Sequence, residues 1–117
     1  MTIDEKRKHS RIDSVNLLNY IHYDEHGEET EQGMGRTLNI SESGILLETH
    51  NRIGEMHNVS LTIGFKEDVI EIKGRTIYTK DNVRGMFESG IEFFEVDDAA
   101  RKILRNYIQI FHSQSEK

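Results

Sequence analysis

Hydrophobic residues recur at every second position in the centre of this chain, and that period restricts the folds it can adopt. Between residues 59 and 65, apolar side chains occupy the odd positions, and Ser60, Thr62 and Gly64 separate them. Such alternation is typical of a β-strand that buries one face. Runs rich in β-branched and aromatic residues, bounded by turn-forming residues, indicate further strands elsewhere. The predicted strands are residues 14–23, 36–41, 45–49, 59–65, 69–80 and 84–95.

The segments between these strands have the composition of turns. The longest, residues 24–35, contains three glycines and an acidic run at 28–31. We interpret it as a solubilising hairpin loop. Within the fifth strand, Gly74 is expected to mark a bulge or a bend.

The last part of the chain changes to a helical period. From Ala100 to Phe111, apolar residues fall at i, i+3, i+4, i+7, i+8 and i+11, which places them in one stripe on a helix. Asp97 precedes this stripe as an expected N-cap, and Asp98 lies in the first turn, where the helix dipole favours a carboxylate. The helix is predicted over about residues 98–112.

These elements predict a mainly β fold, a six-stranded antiparallel β-barrel with a C-terminal α-helix. Closure into a barrel removes the unpaired edges of an antiparallel sheet, and one barrel mouth offers an apolar surface to the helix. A chain of 117 residues fits one domain. The expected parts are a mobile N-terminal arm at 1–13, the barrel at 14–95 and the helix at 97–113.

Composition and charge exclude several classes of protein. The absence of cysteine excludes disulfide frameworks, zinc–thiolate sites and cysteine nucleophiles, and it favours a reduced, cytoplasmic location. No apolar run is long enough for a membrane span or a signal peptide. The whole chain carries −6 and residues 1–11 carry +2, which leaves −8 on the other 106 residues. Such an acidic body disfavours DNA or long RNA as a partner.

Catalytic and metal-binding patterns are not found in the sequence. There is no glycine-rich phosphate loop, nucleophile elbow or recognisable nucleophile–base pair. His22 and His26 suggest metal ligands at first sight, but i and i+4 side chains converge on a helix rather than on a hairpin loop. We therefore expect no catalytic residue, no metal ion and no cofactor.

One candidate binding motif lies in the basic N-terminal arm. Arg7 and Arg11 form an R-x-x-x-R pair, and two guanidinium groups can clamp phosphates, stack on purines or bind a guanine edge. The alternative is that the arm is a solvated, disordered terminus. Arg101 and Arg105 have the same spacing, but they fall on the helix face away from the apolar stripe. We interpret this second pair as solvated surface charge.

A second candidate motif is Asn39-x-Ser41-x-x-Gly44, at the junction of two predicted strands. In a strand, Asn39 and Ser41 point to the same face. Gly44 would allow either a positive φ or the close approach of a ligand. The alternative is an ordinary strand–turn–strand in which Asn and Ser cap their own turn.

Taken in chain order, these motifs resemble the PilZ domain family. The apolar strand positions around residues 39–44 fit, and Gly90-Ile91-Glu92-Phe93 resembles the G-h-x-F segment of the last barrel strand, where h is apolar. The resemblance covers nearly the whole chain. It implies a non-enzymatic bacterial receptor that binds the second messenger cyclic di-GMP and signals to a partner protein.

The resemblance also implies roles for individual residues. Arg7 and Arg11 would grip the phosphates and guanine faces or edges, while Asn39, Ser41 and Gly44 would meet a guanine edge on the barrel surface. Asn39 stands where many members carry Asp, and its neutral carbonyl can still accept one hydrogen bond from guanine. The neighbouring residues that could assist are Lys6, Lys8 and Ser43.

Other functions are open at this point. A PilZ-fold adaptor for protein–protein contact, with weak or no nucleotide binding, is the main alternative. A small barrel that binds single-stranded nucleic acid is disfavoured by the acidic body and by the lack of a basic–aromatic stripe. A phosphodiester-cleaving enzyme would need a metal cluster or a general base.

Overall fold

The strands of the chain pair edge to edge until the sheet closes on itself. The computed structural model describes residues 17–65 and 68–115, without the side chains of residues 65, 114 and 115. Its elements are β1 (Leu17–Tyr23), β2 (Glu29–Ile40), β3 (Gly44–Thr49), β4 (Asn58–Phe65), β5 (Asp68–Asp81), β6 (Phe87–Phe94) and α1 (Asp98–Ser115). The barrel order is β1-β2-β3-β6-β5-β4, with β4 paired to β1 and every pairing antiparallel. The predicted fold class is confirmed.

The prediction of a loop over residues 24–35 is wrong, because β2 already begins at Glu29. The turn itself is short. Asp24 Oδ1 accepts hydrogen bonds from the backbone N–H groups of residues 26 and 28, and Gly27 has a φ of 79°. Gly33 and Gly35 do not interrupt the strand, and their lack of a side chain makes room for core side chains. A Cβ at Gly35 would lie 2.7 Å from Leu47 Cγ, and one at Gly33 would lie 3.0 Å from Tyr20 Oη.

The irregularity in β5 lies beyond Gly74, so the prediction of a bulge at that glycine is also wrong. Gly74 is paired regularly with Val59 of β4, and a Cβ there would lie 2.5 Å from Ile91 Cγ2. The pairing of β5 with β6 shifts register between Thr76 and Tyr78 instead. As a result, two successive apolar side chains are partly exposed, Ile77 at 45% and Tyr78 at 43%.

The helix α1 packs on the barrel through its apolar stripe. Leu104, Tyr107 and Phe111 are buried in the same core as the inward-facing strand residues. The predicted N-cap is confirmed, since Asp97 Oδ1 accepts a hydrogen bond from Ala100 N at 2.7 Å. In the parts of the chain described here, no helix combines the length and the apolar character that crossing a membrane requires.

Candidate functional site

The β2–β3 hairpin carries the predicted motif residues at its tip. Ser41, Glu42 and Ser43 connect the two strands, and we call them the motif loop. Ser41 N donates to Gly44 O at 2.8 Å, while Ser41 Oγ accepts from Ser43 N at 3.3 Å. Asn39 Oδ1 accepts from Ile40 N at 2.9 Å. The polar side chains therefore do cap their own turn, as the alternative interpretation of the motif expected.

Gly44 is not in the left-handed region, so the first of the two interpretations of this glycine, a positive φ, is wrong. Among the described glycines, those with a positive φ are Gly27 and Gly85. The requirement for glycine comes from a neighbouring strand, because a Cβ at Gly44 would lie 2.5 Å from the carbonyl oxygen of Ile91 in β6. Gly44 thus allows β3 to approach β6 closely at the point where the motif loop ends.

A shallow groove of about 390 Å³ runs over the barrel surface beside the motif loop. Asn39 and Ser41 are both exposed, as expected of residues on one outer face. β6 lines the groove with three residues of the predicted Gly90–Phe93 segment, and β5 lines it with the pair at its register shift. The lining residues are Asn39, Ile40, Ser41, Ser43, Gly44, Ile45, Leu46, Ile77, Tyr78, Gly90, Ile91 and Glu92.

Ile77 and Tyr78 were missed by the sequence reasoning, although they form an apolar wall of this groove. Gly90 lies under the aromatic ring, because a Cβ at that position would overlap Tyr78. The available signal was the pair of adjacent apolar residues, which breaks the alternation of β5. Tyr78 therefore adds an aromatic ring to the same groove that the polar groups of the motif line.

The other predicted binding residues cannot be placed against this groove. Lys6, Arg7, Lys8 and Arg11 lie outside the described residues. Of the predicted set, the structure brings together Asn39, Ser41, Ser43 and Gly44.

The second R-x-x-x-R pair does more than carry solvated charge. Arg101 and Arg105 lie on the outer side of α1, but both approach the carboxylate of Glu42 in the motif loop. Arg105 Nε is 3.2 Å from Glu42 Oε1, and Arg101 Nη1 is 3.9 Å from the same oxygen. The interpretation of this pair as surface charge alone is corrected.

Two histidines, His22 and His57, contact each other elsewhere on the barrel. His22 Nε2 lies 2.8 Å from His57 Nδ1, and His22 Nδ1 lies 2.8 Å from Thr30 Oγ1. Burial, followed by the nearby His57, lowers the pKa of His22. Within residues 17–65 and 68–115, no group of three His, Asp or Glu side chains is placed to hold a metal ion.

The chain matches a known family over most of its length. The sequence profile of the PilZ domain family matches residues 5–109. The chain therefore belongs to the PilZ domain family. No curated protein matches the chain at a significant level.

Solved structures share the fold at low sequence identity. One is the PilZ domain of YcgR from Escherichia coli with c-di-GMP, with a TM-score of 0.62, 10% identity and coverage of 85% of this chain and 84% of that one. The Bacillus subtilis inhibitor of motility MotI/DgrA has a TM-score of 0.60 and 16% identity, over 86% and 48%. MrkH of K. pneumonia in its apo state has a TM-score of 0.56 and 12% identity, over 86% and 50%. This chain thus corresponds to about half of the latter two proteins.

Proposed function

We propose that this protein is a receptor for cyclic di-GMP that acts without catalysis, in the bacterial cytoplasm, by altering a surface read by a partner protein. The observation that carries the proposal is the groove, whose lining includes Asn39 and Ser41 at one side and Tyr78 at the other. Membership of the PilZ domain family supports it. So does the likeness in fold to the YcgR domain with c-di-GMP.

The groups in the groove suit a guanine base. Asn39 Oδ1 already accepts one backbone hydrogen bond, which leaves a second lone pair and both Nδ2 hydrogens for a ligand. Ser41 adds a hydroxyl that can donate or accept. Tyr78 offers a ring on which a purine can stack. A guanine bound here would meet hydrogen-bonding groups along its edge and an apolar surface on its face.

The phosphates of the ligand need cations that the described part of the groove does not supply. Among its lining residues, none is lysine or arginine, and Glu92 is acidic. We propose that Arg7 and Arg11 provide the charge, with Lys6 and Lys8 as helpers. Arginine suits this role because its planar fork binds phosphate in a bidentate manner and also stacks on purines.

Calorimetric titration of the full chain with cyclic di-GMP tests the proposal. We expect saturable binding of cyclic di-GMP, and no comparable binding of GTP or cyclic di-AMP, which serve as controls. Equal binding of all three nucleotides would contradict a specific receptor. No binding of any of them would overturn the receptor proposal and favour the PilZ-fold adaptor for protein–protein contact.

A further inference from the structure

The motif loop has two sides, and they face different parts of the molecule. Ser41 and Ser43 line the groove, whereas the carboxylate of Glu42 reaches the guanidinium groups of Arg101 and Arg105 on α1. Arg101 is itself held from a second direction, since its Nη2 donates to Val96 O at 3.3 Å. The loop is thus attached to the helix by the one residue that separates its two serines.

The side-chain contacts within the motif loop are long, although its backbone is bonded through Ser41 N to Gly44 O at 2.8 Å and through Phe93 N to Ser43 O at 2.9 Å. The Ser41 hydroxyl is 3.5 Å from Gly44 O and 3.1 Å from Ser43 Oγ, and both serines are exposed. Short polar side chains on an exposed hairpin tip have several conformations available in water. The ion pairs of Glu42 remove some of that freedom from outside the loop.

The helix is well placed to act as a fixed support for the loop. Besides the ion pairs, α1 approaches β2 through Tyr107 Oη, 3.2 Å from Thr37 Oγ1, and His112 Nε2, 3.0 Å from Ile40 O. Its apolar stripe is buried in the barrel core. The side chain of Glu42 is therefore held by a packed helix and not by another loop.

We propose that Glu42, Arg101 and Arg105 are positioning residues that hold the motif loop in the conformation that binds ligand. This inference rests on the proposed function, and it concerns residues that hold the site without contacting the nucleotide. A loop already ordered before binding loses less conformational freedom on binding, so affinity rises. Because the side chains of Glu42, Arg101 and Arg105 are 48%, 38% and 61% exposed, salt should weaken the effect.

Substitution of Glu42 distinguishes positioning of the motif loop from charge repulsion between Glu42 and the ligand. Glu42→Gln removes a negative charge close to a site for a dianion, so charge repulsion alone predicts tighter binding. Positioning predicts the opposite, a loss of about two- to fivefold at low ionic strength, which is the range for exposed ion pairs. Direct contact between Arg105 and the ligand also predicts tighter or unchanged binding, since Glu42→Gln would free the arginine.

The experiment is a set of calorimetric titrations with cyclic di-GMP at low and high salt. We expect Glu42→Gln and Arg105→Gln each to weaken binding, and the double variant to be no weaker than the worse single variant. Lys102→Gln, an exposed cation on the same helix, is the matched control and should leave affinity unchanged. Tighter or unchanged binding in Glu42→Gln would overturn the proposal.

A second measurement on the ligand-free protein does not depend on nucleotide binding. The amides of Ser41 and Phe93 bond to Gly44 O and Ser43 O, so their hydrogen exchange reports the order of the loop. We expect Glu42→Gln to increase the hydrogen-exchange rates of both amides. The exchange rate of the Leu61 amide in the core should be unchanged. Unchanged exchange would refute the positioning role even if the wild-type chain binds cyclic di-GMP. Absence of nucleotide binding with accelerated exchange would instead refute the receptor proposal alone.

Discussion

Gly44 is a residue at which β3 lies close to the backbone of β6. A Cβ at this position would lie 2.5 Å from Ile91 O, a backbone atom that cannot turn aside as a flexible side chain can. We expect Gly44→Val to lower the free energy of unfolding by about 1–3 kcal/mol, the usual cost of overpacking. Urea unfolding measures the change.

The matched control for Gly44 is Gly64 in β4. A Cβ at Gly64 would meet nothing within 4 Å, and its backbone is not in the left-handed region. Because valine favours strands, Gly64→Val should be neutral or stabilising. Equal effects of the two substitutions would contradict the steric role of Gly44.

His22 makes stability depend on pH. Burial and His57 lower its pKa, against smaller opposing effects from Glu31 and Asp24, so the folded state prefers the neutral ring. The unfolded chain takes up a proton near the ordinary value of about 6.5. The free energy of unfolding should therefore fall as pH drops below about 6.5, because the unfolded state binds more protons.

Urea unfolding at a series of pH values between about 7.5 and 5.5 tests this dependence around the ordinary histidine value. His22→Gln should flatten the slope. His26 lies exposed in the turn after β1, and His26→Gln should leave the slope as in the wild type. A slope that survives His22→Gln would assign the effect to other groups.

Substitution of Tyr78 tests whether its ring is the surface on which a base stacks. Its ring lies over Gly90 and lines the same groove as Asn39 and Ser41. Tyr78→Ala should weaken cyclic di-GMP binding by about 1–3 kcal/mol, the range for a base stacked on an aromatic side chain. Tyr78→Phe keeps the ring and should bind nearly as the wild type does. Calorimetric affinities that are equal for the Ala and Phe variants would place the base elsewhere.

At the level of elements, α1 depends on a side chain that precedes its first turn. Asp97 Oδ1 accepts the Ala100 amide at 2.7 Å. Removal of an N-cap costs about 0.5–2 kcal/mol, so Asp97→Ala should lower the free energy of unfolding by about that much. Asp97→Asn retains a capping oxygen and should be nearly neutral. A large loss in the Asn variant, seen in thermal or urea unfolding, would show that charge and not capping is important.

The length of β2 is set by its pairing and packing with neighbouring strands. Its first half, with Gly33 and Gly35, pairs with β1, and its second half pairs with β3. Each glycine lies where a side chain of another strand, Tyr20 or Leu47, occupies the space above it. A segment rich in turn residues is therefore held in an extended conformation by tertiary contacts.

At the level of the whole molecule, the proposed function requires the N-terminal motif and the barrel to bind the ligand together. Arg7→Ala or Arg11→Ala should reduce cyclic di-GMP affinity at least about tenfold, since each removes a charge-assisted contact of about 1.5–3 kcal/mol. Arg11→Lys should not restore full affinity, because an ammonium lacks the planar fork. Thermal unfolding of the ligand-free variants should match the wild type. Affinities that stay unchanged in both alanine variants would place the phosphate contacts on other residues.

Features that depend on local period and local capping could be predicted from the sequence. Alternation predicted β4, and the helical period with Asp97 predicted α1 and its start. The order of the motifs predicted the family to which the chain belongs. Strand geometry alone placed Asn39 and Ser41 on one face, because side chains two residues apart in a strand point the same way.

Features that depend on contacts between distant residues could not be predicted in this way. Whether a glycine breaks a strand or accommodates a neighbour depends on what lies above it, as Gly35 and Leu47 show. The shift at Tyr78 arises from pairing with β6, and the contact of Glu42 with Arg105 joins residues far apart in the chain. Local patterns carry no information about such partners, because closure of the barrel and packing of the helix create them.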